Sequence, residues 1–285
     1  QLKMLASLEW FHLPYRTNSL STALFVGMHQ LAWSYWIWKG LERRFRSPHA
    51  TLLSKGQSYR FVAFFGLLLL GFVWRTGADK ELYQDLLTQL TLTFWMFLGL
   101  IAALSPHRQA LQDWARYRHQ AAAKDRRSLL KDLLWGEKSP AGVAIALNLA
   151  IALTLMLPWL SMLSPEGGKR FILAIALFAG IILVLAAIAQ LLLTLKTPKR
   201  VLWTYGTIAL LIVVPFLVLQ TGVPFLDSTS WLLSAAPWAA VGMTPAITIL
   251  FSVLTQFTVV GLLSYRLTRQ LQKAGASELQ GLLKA

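Results

Sequence analysis

The chain contains no cysteine, so disulfides, thiol catalysis and Cys-based zinc sites are excluded. Acids are scarce as well: 12 Asp and Glu stand against 27 Lys and Arg, for a net charge of +15. Charge of either sign is thin, at 14% of residues, where an average soluble domain carries about 25%. The long apolar runs hold no carboxylate in their cores. Intramembrane proton relays and cation sites usually use one, so a proton- or sodium-coupled carrier is disfavoured. Neither an HExxH spacing nor a GxxxxGK(S/T) loop occurs. The first absence argues against an intramembrane metalloprotease, and the second against a P-loop ATPase within this chain. Of His12, His29, His49, His107 and His119, only His29 lies within an apolar run.

What is present is apolar surface: 56% of residues, gathered in blocks that are greasy all round. Such blocks need lipid or other spans as solvent. A crossing helix takes about 20 apolar residues. Leu20–Trp38, Leu86–Leu104, Ala141–Leu163, Phe171–Leu195 and Val201–Leu219 carry no Asp, Glu, Lys or Arg. Phe61–Trp74 is short, but Arg60 and Arg75 can snorkel at its ends. The uncharged stretch Trp231–Tyr265 is too long for one crossing and is interrupted by Pro237, Gly242 and Pro245. It reads as part of a re-entrant or interfacial hairpin, roughly 221–242, followed by a span over Pro245–Tyr265. The expected fold is all-α: a polytopic transmembrane helical bundle of about seven spans, with a re-entrant hairpin before the last. The mild polar groups inside the runs, Gln30, Gln89, Asn148, Gln190 and Gln256 among them, read as interhelical hydrogen-bonding groups.

The cations fix an orientation. With loops assigned alternately, 21 of the 27 Lys and Arg fall on one side and 6 on the other. The rich side is cytoplasmic by the positive-inside rule, which places Ala285 inside and Gln1 outside. A start on the outer side without a signal pattern implies an upstream part with an odd number of spans. Nucleic-acid binding is set aside because the cations sit in loops between apolar runs, with no soluble basic domain to hold it. The stretch YWIWKGLERRFRSPHATLLSKGQSY, Tyr35 to Tyr59, then makes sense as a cytoplasmic membrane exit. Its Trp33, Trp36 and Trp38 neighbourhood suits the interface and its arginines suit anionic lipid.

The longest cytoplasmic piece is 105–140. Leu111, Trp114 and Ala115 share one helical face, and Leu130, Leu133 and Leu134 another. One reading is an amphipathic helix on the inner leaflet. The other is a docking helix for a cytoplasmic partner, because Asp113, Asp125, Asp132 and Glu137 are more acid than a lipid anchor wants. The tail after Tyr265 is basic and amphipathic, with a helix stop expected at Gly275.

The order of elements is similar to the membrane unit of type-2 ABC exporter permeases. LSPHRQALQDWARYRHQ, LLWGEKSPAGVAIALNLAIAL and LQKAGASELQGLLKA, with the Tyr35–Tyr59 stretch, resemble segments of permease-like proteins of photosynthetic bacteria. The resemblance implies three units: residues 1–39 as an extracytoplasmic segment and the last span of an upstream unit, 40–265 as a six-span permease-like unit, and 266–285 as a cytoplasmic tail. It implies a coupling region at 109–120 or 128–136 that docks on an ATP-binding-cassette ATPase subunit, with Asp113, Trp114, Arg116, Tyr117 and Glu137 as candidate contacts. Further partners would be the lipid bilayer and an upstream permease half or second copy, with no nucleic acid, cofactor, metal or catalytic residue. The implied place is the bacterial inner (plasma) membrane or a thylakoid membrane. The rival reading is a non-transporting integral membrane scaffold or assembly factor. A lipid enzyme is disfavoured by the lack of clustered acid, His or Ser groups.

Overall fold

The computed structural model describes residues 9–10, 13–14, 20–48, 50–71, 79–120, 128–220 and 236–282. A two-residue antiparallel pair, β1 (Glu9–Trp10) and β2 (Leu13–Pro14), precedes the helices. The helices are α1 (Leu20–Arg46), α2 (Lys55–Leu70), α3 (Asp79–Leu104), α4 (Arg108–Gln120), α5 (Leu129–Trp135), α6 (Gly142–Leu160), α7 (Pro165–Leu193), α8 (Arg200–Gln220) and α9 (Ala246–Leu282). A 3-10 turn, Pro237–Ala240, stands before α9. Among the described residues, four helices are long and apolar enough to cross a membrane: Glu81–Leu104, Gly142–Leu160, Pro165–Leu193 and Ala246–Ala276.

Local chemistry sets several boundaries. Ser54 and Gln57 form a capping box: the Ser54 side chain accepts from the Gln57 N–H, and the Gln57 side chain accepts from the Ser54 N–H. Two of the donors a helix start leaves orphaned are thus satisfied, and α2 begins at Lys55. Ser164 caps α7 through the Gly167 N–H, with Pro165 in the first turn, where its missing N–H costs nothing. Ser139 and Pro140 lie outside helix and α6 starts at Gly142, since a residue before proline is pushed out of helical conformation.

Helix α7 is the mast of the bundle. Phe171, Ala174, Leu177, Phe178, Ile182, Leu185 and Ala189 along it are buried, and α3, α6, α8, α9 and the 3-10 turn pack around it. Helices α2 and α6 form a second pairing, in which Asn148 donates to the Ser58 hydroxyl at 2.9 Å. The interhelical role expected for Asn148 is therefore present. At Gly180 a Cβ would fall on the Gln256 side chain, so the glycine is what lets α7 and α9 close on each other. Gly180→Ala is expected to destabilise by about 1–3 kcal/mol, as overpacking does. Adding Gln256→Ala should recover most of the loss in the thermal unfolding midpoint.

Interactions between elements sort the helix ends into two levels. Arg43 meets Glu137, Lys55 meets Ser139, and Thr194 meets Gln270 at one level. Arg170 donates to the Gly242 carbonyl at the other. Helix α1 runs unbroken through the boundary expected at 39/40. Most of the hairpin expected at 221–242 lies outside the described residues. Its described end is Trp238, fully buried against Phe94 and Phe178, with its indole N–H donating to the Thr91 hydroxyl at 3.2 Å.

One expectation is corrected. The tail does not stop at Gly275, because α9 continues to Leu282. Gly275 serves a different purpose: a Cβ there would stand 3.0 Å from the Ala115 carbonyl oxygen, so glycine permits the crossing of α4 and α9. The leucine face of α5 stays outside the core. Leu130 is exposed, and the buried residue of α5 is Asp132.

Candidate functional site

The polar chemistry of the bundle concentrates at the level that holds α4 and α5. A strap, 128–141, is clamped onto the start of α2. The Lys55 ammonium, only 3% exposed, donates to the Leu133 carbonyl at 2.6 Å, the Ser139 hydroxyl at 2.6 Å and the Pro140 carbonyl at 3.0 Å. Ser139 in turn donates to the Asp132 carbonyl at 2.6 Å. Desolvation outweighs the attraction of the Asp132 carboxylate and brings the Lys55 amine down to about 8. One turn on, the Tyr59 hydroxyl donates to the Leu134 carbonyl at 2.6 Å, and burial pushes its phenol up to about 12, so it stays a donor. The Tyr59 and Trp135 rings meet edge-on at 5.4 Å. Arg43 pairs with Glu137 and also donates to the Thr51 carbonyl, which draws the end of α1 into the same node.

Helix α4 is held from the other side. Leu111 and Ala115 pack with Leu267 and Leu271 of α9, flanked by Trp114 and Leu191. The apolar face expected from Leu111, Trp114 and Ala115 is therefore the packed face. Arg118 on α4 reaches Asp132 on α5 at 3.2 Å, and Lys138 stands 3.8 Å from Asp113.

The five candidate contacts do not act as one patch. Asp113 and Tyr117 are exposed on the outer side of α4, with Arg116 beside Asp113 at 3.6 Å. Trp114 faces inward and lines a cavity. Glu137 belongs to the strap and is engaged by Arg43. Lys55, Tyr59, Asp132 and Ser139 were not among the expected site residues. Only the Ser54 and Gln57 spacing hinted that the strap's anchor is a helix start.

The cavity lies beneath α4 and α5. It has a volume of about 600 Å³, within the usual range for small-molecule sites. Its walls come from α4, α5, the first turns of α6, the last third of α7 and the middle of α9. Most of the wall is aliphatic, with Arg118, His119, Gln190 and Gln272 among the few polar side chains. Among the described residues no group of three or more His, Asp or Glu could hold a metal ion. The chain matches no protein-family model, no curated protein and no solved structure.

Proposed function

We propose that the chain is the membrane-spanning permease component of an ABC-type exporter, driven by a separate ATPase subunit. The observation that supports this reading is the mounting of α4. Its outer side offers Asp113 and Tyr117 to a partner, while its inner side is packed on α9. The adjoining strap is pinned to α2 by Lys55 and Tyr59 and to the end of α1 by Arg43. A force applied to α4 from outside the bundle would reach α9 directly, and α2 through the Arg118–Asp132 pair and the strap. A coupling element between an ATPase and a transport path requires that linkage. In this reading α1, α2 and α8 cross alongside the four helices that are long and apolar enough to span, and the level of α4 is cytoplasmic. Trp238, in the turn before α9, sits within the bundle, as a re-entrant segment would have it. Phe178, which Trp238 touches, lies eight residues beyond Arg170, or about 12 Å at 1.5 Å per residue.

The structure separates the residues that test docking from those that test packing. Asp113→Lys with Tyr117→Ala changes the outer side of α4 and gives up the 3.8 Å contact of Asp113 with Lys138 on the strap, but leaves the packing on α9 untouched. Gentle solubilisation of membranes followed by affinity capture is expected to recover an ATP-binding-cassette subunit with the parent and to lose it with this double variant. Recovery of no such subunit with the parent favours the scaffold reading. The absence of cysteine makes topology directly measurable, since any introduced thiol is the sole one. Tyr117→Cys is expected to react with a membrane-impermeant maleimide only from the cytoplasmic side, and Met162→Cys only from the opposite one.

A further inference from the structure

The cavity under α4 has the make-up of a lipid site. Val143, Ala146, Leu183, Ala187 and Val260 give it an aliphatic wall. Ala146, Ser264 and Thr268 line it and are exposed, so it opens sideways between α6 and α9. Two of its lining side chains carry buried atoms that lack partners: the Trp114 indole N–H, a donor, and the Gln190 amide oxygen, an acceptor. Gln190 is only 2% exposed. A buried donor or acceptor left unpaired is costly, and two at one cavity point to a ligand that offers both an acceptor and a donor. Arg118 adds a cation, held at 3.2 Å by Asp132.

We propose that this cavity binds an anionic glycerophospholipid whose head carries free hydroxyls. One acyl chain lies along the aliphatic wall between α6, α7 and α9. The phosphate accepts from Trp114 and Arg118, and a head-group hydroxyl donates to Gln190. The second chain stays in the bilayer through the lateral opening. A fatty acid carboxylate satisfies Trp114 but leaves Gln190 without a donor. Phosphatidylcholine replaces the hydroxyls by a quaternary ammonium and cancels the anionic charge. The proposal rests on the bundle lying in a membrane and not on the permease reading, so loss of an ATPase partner leaves it standing.

The test uses the full chain in lipid nanodiscs doped with phosphatidylglycerol bearing a photoreactive acyl chain, with the phosphatidylcholine and fatty acid counterparts in parallel. Phosphatidylglycerol is expected to label peptides covering 142–146, 183–190 or 260–272. Labelling by the other two probes should be about tenfold weaker, because each leaves the buried Gln190 oxygen without a donor. Ala146→Phe fills the cavity from an exposed position and should abolish that labelling. Ala150→Phe, one turn on and outside the lining, should leave it unchanged. Trp114→Phe keeps the ring, loses only the N–H, and should lower labelling by about tenfold without moving the thermal midpoint by more than a few degrees. Equal labelling by phosphatidylglycerol and phosphatidylcholine overturns the proposal. So does a signal that neither Ala146→Phe nor Trp114→Phe reduces, which marks ordinary annular lipid.

Discussion

Replacing Lys55 by alanine is expected to free the 128–141 strap from the bundle and to cost about 2–4 kcal/mol of stability. The ammonium is the common donor to Leu133, Ser139 and Pro140. Without it the Leu133 and Pro140 carbonyls and the Ser139 hydroxyl lose a donor. Ser139 keeps its own bond to Asp132, so the cost falls mainly on the two half-buried carbonyls, at about 1–3 kcal/mol each, and relief of the ammonium's own desolvation offsets some of that sum. Limited trypsin digestion reads the local effect, because Lys131 and Lys138 lie on the strap. Cleavage there should quicken by at least tenfold in Lys55→Ala, while α6 and α7 stay resistant. A parent-like digestion pattern in a stable variant means that Tyr59 and Arg43 hold the strap unaided, and the clamp described above is then wrong.

The same residue gives the protein a pH signature. The Lys55 amine titrates at about 8 in the folded protein and at 10.5 ordinarily. Below pH 8 both states carry the proton, and the cost of burying the ammonium is fully present. Between about pH 8 and 10.5 the folded protein has released a proton that the unfolded chain still holds. The unfolded state then binds more protons, so stability rises with pH across that window. The neutral amine keeps two N–H groups for the three acceptors, so the clamp survives the titration with one bond fewer. The thermal midpoint of the parent should therefore climb relative to Lys55→Met between pH 8 and 10. A flat difference between the two proteins across that range rules out the depressed titration.

How much of this was legible in the chain depends on which physical constraint wrote it. A crossing helix must satisfy its backbone within itself, so its length and freedom from charge are imposed locally. That is why Leu86–Leu104, Ala141–Leu163 and Phe171–Leu195 coincide with α3, α6 and α7. The cap at Ser54 was equally local, written in four residues. The burial of Lys55 was not. In sequence it is one of six cations between Lys39 and Arg60, and nothing near it distinguishes it from Lys39 or Arg60. Its partners lie about 80 positions away, and only packing of α2 against the strap brings them together. The burial of Asp132 was hidden for the same reason, since a seven-residue helix has too few turns for its leucine period to decide which face is covered. Trp114 reads in sequence both as apolar packing and as a partner contact. Its inward direction depends on α9, whose course past Gly275 the sequence does not reveal.

Trp238→Ala is expected to be the most damaging single change outside the clamp, at about 3–5 kcal/mol. The ring is fully buried between Phe94 and Phe178, with centroids at 5.3 Å from each. It is also the described anchor of the segment that leads into α9. In a bilayer the loss falls on packing and hydrogen bonding rather than on water exclusion, because detached apolar groups meet lipid. Trp238→Phe separates the two contributions: it keeps most of the ring contact, gives up the hydrogen bond to Thr91, and should cost about 1 kcal/mol. A local readout comes from Val241→Cys, since Val241 is 1% exposed and its cysteine would be the sole thiol of the chain. That thiol should resist maleimide in the otherwise native protein and with Trp238→Phe, and should react readily once Trp238→Ala releases the turn. If the thiol reacts at the same rate in all three, the 3-10 turn is not held by its tryptophan. The support for a re-entrant segment before α9 then falls with it.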